Sequence, residues 1–347
     1  MTQSAEMTAT ARLHHAYFTG LILTLVSRCS AAEAAEWVFR VFRHQHHEKF
    51  LPSFSKLGLQ DMPHAVACAA YHYLSNSVGG VRVEFMRESD TKAWVHFVPP
   101  RWIYPGAAIC GVPSEVSRAF LRGWYAQNGV SLGNPRLGFV CTAQTTDGQH
   151  GLAGYFWERG EPISPEERLI FRPGELAPPF DPAAAPRLPS AEWPAERLAK
   201  AERNYALEYV RSGLPRLVEQ LGPASAAHIG RTTGRLIGAQ LYHETVALLG
   251  LSGDSPESFA ELIVRLAAGD GDEAIALPQQ GSVVVRRRSW RLVRGLPPQS
   301  PAVLEAWNGL LEGLLAVHNR HLALELVERL DWGDSANAWR IRLGRAA

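Results

Sequence analysis

Apolar residues recur along this chain with two periods, and the order in which the periods alternate is repeated. Over 31–51 the helical period places Trp37, Val41, His44 and Glu48 along one side at i, i+4, i+7 and i+11, a stripe expected to face a core. Pro52 is expected to end that helix. A second helix is predicted over 62–75, opened by Asp61 and Pro63. Ser77-Val78-Gly79-Gly80 breaks the chain into strands at 81–86 and 93–98, closed by Pro99-Pro100. A helix through Val116, Phe120, Leu121 and Trp124 follows, stopping near Asn128-Gly129. Strands at 137–142 and 152–158 then flank the turn Thr146-Asp147-Gly148.

The same order returns downstream. Helices are predicted over 195–221 and 224–249, and Ser255-Pro256-Glu257 opens another. A β pair at 274–277 and 282–288 follows, Trp290 parallels Trp94, and Pro297-Pro298 matches Pro99-Pro100. Ser300-Pro301 opens a long helix through Val303, Trp307, Leu311 and Leu315, and a last strand covers 336–343. Each half also carries a His-Glu pair late in a helix, His47-Glu48 and His243-Glu244, followed by Leu-Gly-Leu. The expected fold is therefore α+β, made of two degenerate repeats. Each would be a small antiparallel sheet packed against helices, and the two would pack pseudo-symmetrically. Residues 1–172 form the first repeat, 195–347 the second. Between them, 173–194 is so rich in proline that it reads as a linker or a strap lying across the surface.

Composition narrows the function classes. Of 347 residues, 35 are basic and 34 acidic, so the electrostatic surplus of a general nucleic-acid binder is missing. Arg286-Arg287-Arg288 reads as a solvated strand edge. The four cysteines, Cys29, Cys68, Cys110 and Cys141, lack C-x-x-C spacing, and free thiols in a reducing compartment follow. Residues 16–26 are too short and too polar to span a bilayer, and the start lacks the charge of a signal peptide. A cytoplasmic chain with no membrane or nucleic-acid partner is expected.

The densest chemistry is Arg43-His44-Gln45-His46-His47-Glu48-Lys49. On a helix His44, His47 and Glu48 share one side, a spacing that suits a base with its orienting partner or a divalent metal site. The zincin string H-E-x-x-H is absent. Glu244 lies on the stripe Ile237, Leu241 and Leu248, where a carboxylate needs a partner such as Arg231 or Arg235. Arg101, Trp102 and Tyr104 follow a strand end and could hold a carboxylate under an aromatic wall. Cys110 lies near a helix start, among apolar neighbours that favour an inert, buried thiol. Asn128 flanks a glycine-containing turn that lacks the lysine of a phosphate loop. Gly230, Gly234 and Gly238, four apart, imply close helix packing.

The run Gly230-Arg231-Thr232-Thr233-Gly234-Arg235-Leu236-Ile237-Gly238, the Pro-Pro after a Trp-bearing strand, the long helix ending in His318-Asn319, and Gly333-Asp334 before an edge strand form a pattern over about 200–343. It resembles the L-2-amino-thiazoline-4-carboxylate hydrolase family and the related four-vinyl-reductase-type ligand-binding domains. The first half resembles the same fold more distantly, through 132–139 and 151–155. Where that family's pattern carries a cysteine after the Gly-Asp, this chain has Ala336 and Ala338. The resemblance implies a fold that holds a small or hydrophobic ligand and, in one branch, hydrolyses a cyclic amidine-like C=N bond.

The expectation is thus a homodimeric hydrolase of a small cyclic C–N substrate. Glu48 or His44 would activate water, His47 would orient Glu48 or complete a metal site, and Arg101, Trp102, Tyr104, Asn128 and Cys110 would bind substrate. His243 and Glu244 are the counterpart candidates of the second half. The alternative is a non-catalytic ligand-binding or sensor module of the same fold, with non-covalent haem ligation by His318 or His321 as one variant. In a further alternative, one half has lost its cavity and serves only as scaffold.

Overall fold

In a computed structural model, residues 4–100, 103–189 and 191–344 are described. The fold is α+β, with two separate small sheets packed against helices. The chain divides into two compact units, residues 25–202 and residues 1–24 with 203–347. The N-terminal helix α1 (Ala5–Arg28) thus contributes most of its length to the unit formed by the C-terminal half. Within that unit the buried Tyr17 hydroxyl reaches the carbonyl oxygens of Gly230 (3.0 Å) and Ala306 (2.9 Å), and Thr10 reaches that of Leu266. A pattern of apolar positions predicts that a helix is amphipathic, but not which distant partner receives its apolar face.

The unit of residues 25–202 contains α2 (Ala31–Leu57), α3 (His64–Val78), β1 (Val83–Arg87), β2 (Lys92–Phe97), α4 (Ser114–Trp124), α5 (Asn128–Ser131), β3 (Leu137–Ala143), β4 (Leu152–Glu158) and β5 (Leu169–Phe171). The long helix α6 (Ala195–Leu221) runs across the unit boundary. The other unit contains α7 (Pro223–Leu249), α8 (Pro256–Asp270), β6 (Ala274–Gln279), β7 (Ser282–Arg287), α9 (Pro301–His318), β8 (Leu322–Glu328) and β9 (Asn337–Leu343).

The repeat is visible in connectivity and in register. Sheet order is β1-β2-β4-β3, with β5 added in parallel on β3, and β6-β7-β9-β8 in the other unit. Helices α2 and α7 are both 27 residues long, and α3 and α8 are both 15. Both α2 and α7 end on a left-handed glycine, Gly58 and Gly250, whose amides bond back to the last turn. Strands β3 and β8 carry their register shift at matching places, Cys141/Ala143 and Leu326/Glu328. Before each of these strands an asparagine folds its side chain onto the backbone two residues on, Asn134 onto Arg136 and Asn319 onto His321.

Several expected details differ. Helix α2 does not stop at Pro52 but continues to Leu57. Pro52 is exposed, so the carbonyl left without a donor faces water and the break is tolerated. Strand β8 was not expected, and it makes β9 an interior strand, paired with β7 and β8, instead of an edge. Trp290 lies beyond the end of β7 and is not the counterpart of Trp94; by sheet register that counterpart is Val284, which faces Arg340 as Trp94 faces Tyr155. Arg287 is buried and bridges the carboxylates of Asp270 (2.7 Å) and Asp272 (2.5 Å), not a solvated edge. Strand alternation turns Arg287 inward with Val283 and Val285.

The proline-rich stretch lies on its own unit as a strap. Ala177 and Phe180 pack on the outer sheet face of Met86, Trp94, Val140 and Tyr155. Glu175 bonds the Tyr155 hydroxyl (3.0 Å) and Lys92 (3.3 Å). Trp193 donates to the Lys56 carbonyl at 2.6 Å. Register-matched residues of the other sheet, Glu325 and Arg340, are charged and pair with each other, so that face tolerates water without a strap.

Candidate functional site

The predicted acid–base stripe on α2 turns away from the core. His44 Nε2 lies 3.4 Å from Glu48 Oε1, their side chains 31% and 37% exposed, and His47 is exposed as well. The buried face is instead Trp37, Val38, Val41, Phe42, Gln45, His46, Phe50, Phe54 and Leu57. Polar Gln45 and His46 belong to this buried face, which displaces it from the stripe that apolar spacing alone predicts. Among the described residues no three His, Cys, Asp or Glu side chains are arranged to hold a metal ion, so His44, His47 and Glu48 do not form one.

The remaining candidates are scattered. Arg101 and Trp102 lie outside the described residues. Tyr104 is buried. Cys110 is exposed on the 3-10 turn Gly106–Gly111, against the expectation of a buried thiol. His243 and Glu244 are exposed, and Glu244 pairs with Arg12 instead of Arg231 or Arg235, which lie beside Glu312. Nor are the two His-Glu pairs counterparts. Glu48 stands ten residues before Gly58, and Glu244 six before Gly250, about one helical turn apart in register.

Asn128 is the candidate that the structure places in a concentrated site. It is fully buried at the start of α5, and its Nδ2 lies 3.3 Å from Nε2 of His72 on α3. The His72 ring stacks on Tyr125 (4.0 Å, 10°) and lies nearly parallel to Phe156 (5.5 Å, 7°). Beside it, His46 stacks on Phe50 at 4.6 Å, meets the edge of Trp124 at 5.6 Å, and places Nε2 2.9 Å from Ser131 Oγ. Cys68 lies one turn before His72 on α3 and is buried. Burial pushes the His46 imidazole down to about 3, helped by His47 and Arg43, and takes His72 well below its ordinary value. Burial pushes the Cys68 thiol up, with the Asn128 side chain offsetting part of the rise. At neutral pH the cluster therefore carries no formal charge.

Three polar atoms in this cluster have no hydrogen-bond partner among the described residues: His46 Nδ1, Asn128 Oδ1 and Trp124 Nε1. Each such buried atom costs roughly 1–3 kcal/mol when left unpaired. The backbone is irregular at the same place. Helix α4 ends at Trp124, and a 3-10 turn over Tyr125–Gln127 precedes α5. A mid-helix 3-10 stretch commonly marks a functional bend.

The other unit shows what this place looks like when closed. There α9 runs unbroken for 18 residues and packs on α7 through small residues. A Cβ on Gly238 would lie 2.3 Å from the Leu310 carbonyl oxygen; on Gly309 and Gly313 it would lie 2.3 and 2.2 Å from the carbonyls of Arg231 and Arg235. Counted from Gly250 and Gly58, Gly234 and Gly238 correspond to Phe42 and His46. Counted from Asn319 and Asn134, Gly313 corresponds to Asn128. Gly309 keeps a glycine counterpart in Gly123, whose Cβ would lie 2.9 Å from the Phe39 carbonyl oxygen, so three glycines of one copy, Gly234, Gly238 and Gly313, are Phe42, His46 and Asn128 in the other.

Two further groups bear on chemistry. Across the β1–β2 hairpin, His96 Nδ1 lies 2.8 Å from Glu84 Oε2, an imidazole–carboxylate pair that the strand pattern concealed because its members are twelve residues apart. His96 Nε2 has no hydrogen-bond partner among the described residues, and the His150 ring lies 5.3 Å away. His318 is committed to structure. Its Nδ1 accepts from the Tyr242 hydroxyl (2.8 Å), while Nε2 faces the Ser255 carbonyl (3.0 Å) and Ser258 Oγ (3.2 Å). Haem ligation there would break these bonds; His321 is exposed, with Nε2 3.3 Å from Arg320 Nε.

No family model matches the chain, and no curated protein matches it. Among solved structures, it is similar to a trafficking protein particle complex subunit 3 from Naegleria fowleri covalently bound to palmitic acid. The identity is 16%, with 42% of this chain and 97% of that chain covered, at a TM-score of 0.36. No helix of the described residues is long and apolar enough to cross a membrane.

Proposed function

We propose that the chain is a small-molecule-binding module in which one of two α+β copies, residues 25–202, holds the ligand and the other is scaffold. The observation that carries this reading is the substitution of Gly238 and Gly313 by His46 and Asn128 at matched register, each with a buried polar atom lacking a partner. A core retains such atoms against their cost when something outside the chain completes their hydrogen bonds. The cluster has neutral imidazoles and a protonated thiol, so it offers hydrogen bonds and aromatic surface but no activated nucleophile. The test is a thermal melt of the protein with and without the small-molecule fraction of a cell extract. A fraction should raise the melting temperature of the wild type and not that of Asn128→Leu. Equal shifts in both proteins would remove the site.

A second reading, hydrolysis of a small cyclic C–N substrate, draws on the resemblance to the thiazoline carboxylate hydrolases and on the Glu84–His96 pair. A carboxylate holding Nδ1–H leaves Nε2 as the basic atom, the arrangement a general base requires. In that reading His96 replaces Glu48 and His44 as the base that activates water. Turnover of a cyclic amidine lost in His96→Ala and reduced in Glu84→Gln supports it; turnover unchanged in both ends it.

A further inference from the structure

We propose that the free edge of β8 pairs with β8 of a second copy of this chain about a two-fold axis, joining their four-stranded sheets into one. The homologous edge shows how such a place is filled. Counted from Asn134 and Asn319, Phe139, Val140 and Cys141 on β3 correspond to Leu324, Glu325 and Leu326 on β8, and the register shifts of the two strands agree. Against β3 lies β5, with Leu169, Ile170 and Phe171 beside those three residues, and the Arg172 amide donates to the Cys141 carbonyl at 2.9 Å. Phe139, Val140 and Cys141 are buried.

Among the described residues β8 has no such neighbour. It ends the sheet order, Glu325 is exposed, and Leu324 and Leu326 are only half-buried. By the matched register, Leu322, Leu324 and Leu326 turn their backbone N–H and C=O groups to this open side. An edge of this kind recruits another strand unless it is blunted. The sheet's other edge, β6, carries Pro278, which has no N–H to offer. From Leu322 to Leu326, β8 contains no proline, and its register shift falls after Leu326.

The sequence of β8 favours its own copy as the occupant. With the axis at Leu324, antiparallel pairing sets Leu324 opposite the partner's Leu324 and Leu322 opposite the partner's Leu326. This extends the core-facing row to which Ile341 and Trp339 belong. On the outer face Glu325 meets the partner's Ala323, whose neighbour in its own sheet is the partner's Arg342. The small alanine leaves that guanidinium room to approach Glu325. An axis at Glu325 would oppose two glutamates, and one at Ala323 would set Leu326 opposite the partner's Arg320.

The experiment is sedimentation equilibrium of the full chain. The wild type should be a dimer at about 10 μM chain. Ala323→Glu sets a like charge opposite Glu325 twice about the axis and should raise the dimer Kd at least about tenfold. Leu324→Pro removes an N–H from the pairing edge and should weaken the dimer at least as much, which keeps the test decisive if one variant does not fold. A wild type that stays monomeric at about 100 μM, or a dimer undiminished in either folded variant, overturns the inference.

Discussion

His46 and Gly238 stand at one place in two copies of the same helix, each twelve residues before the left-handed glycine that ends it. Against Gly238 the partner helix comes so close that no side chain fits; against His46 the partner helix breaks and admits an imidazole, an indole and an amide. One copy thus packs glycine on backbone where the other packs buried polar and aromatic side chains.

Closure on Gly238 is a packing constraint, so even alanine should be poorly tolerated. Gly238→Ala places a methyl 2.3 Å from the Leu310 carbonyl oxygen, a contact that only separation of α7 and α9 relieves. A loss of about 2–4 kcal/mol is expected in denaturant unfolding. A loss below about 0.5 kcal/mol would show that the helices are not held at this distance.

The buried imidazole of His46 makes stability depend on pH. Its folded-state value near 3 lies below the ordinary 6.5, so the unfolded chain binds more protons between these limits. Its contribution is complete above about pH 6.5 and lost as pH falls towards 3. Between pH 7.5 and pH 5 the wild type should lose about 2 kcal/mol more than His46→Gln. Equal pH dependence in the two proteins would show that His46 is not buried neutral.

The exposed His44–Glu48 pair should contribute little. Double substitution to alanine and glutamine is expected to change stability by less than about 1 kcal/mol and to leave ligand-induced melting shifts as they are. A loss of ligand response would return the site to the outer face of α2.

Arg287 is held between Asp270 and Asp272, and burial works against its charge while both carboxylates raise its basicity. Arg287→Met leaves two carboxylates without their shared cation, at a cost of about 3–5 kcal/mol. Thermal unfolding of that variant at neutral pH checks it. Stability near that of the wild type would mean that Arg294 and the remaining donors to Asp272 suffice.

The repeat was legible in sequence because its markers are local: Leu-Gly-Leu after a helix, proline at helix starts, Gly-Asp and Asp-Gly in turns. The His-Glu echo is a coincidence of composition, out of register by four residues. The site was only partly legible. The turn beside Asn128 marks it in the sequence, and it lies at the centre of the cluster, whereas no sequence pattern marks His46 and His72. A polar residue inside an apolar stripe looks like the stripe's edge unless the whole face is counted, and at His46 that moved the apparent core to His44 and Glu48. Cross-strand register hid Glu84–His96, and spatial closure hid the placement of α1 with the distant half.

Native mass spectrometry of the chain saturated with the active extract fraction tests the central claim most directly. One ligand per chain in the wild type and none in Asn128→Leu is the expected result. Two ligands per chain, or one retained in Asn128→Leu, would contradict a single site at His46 and Asn128.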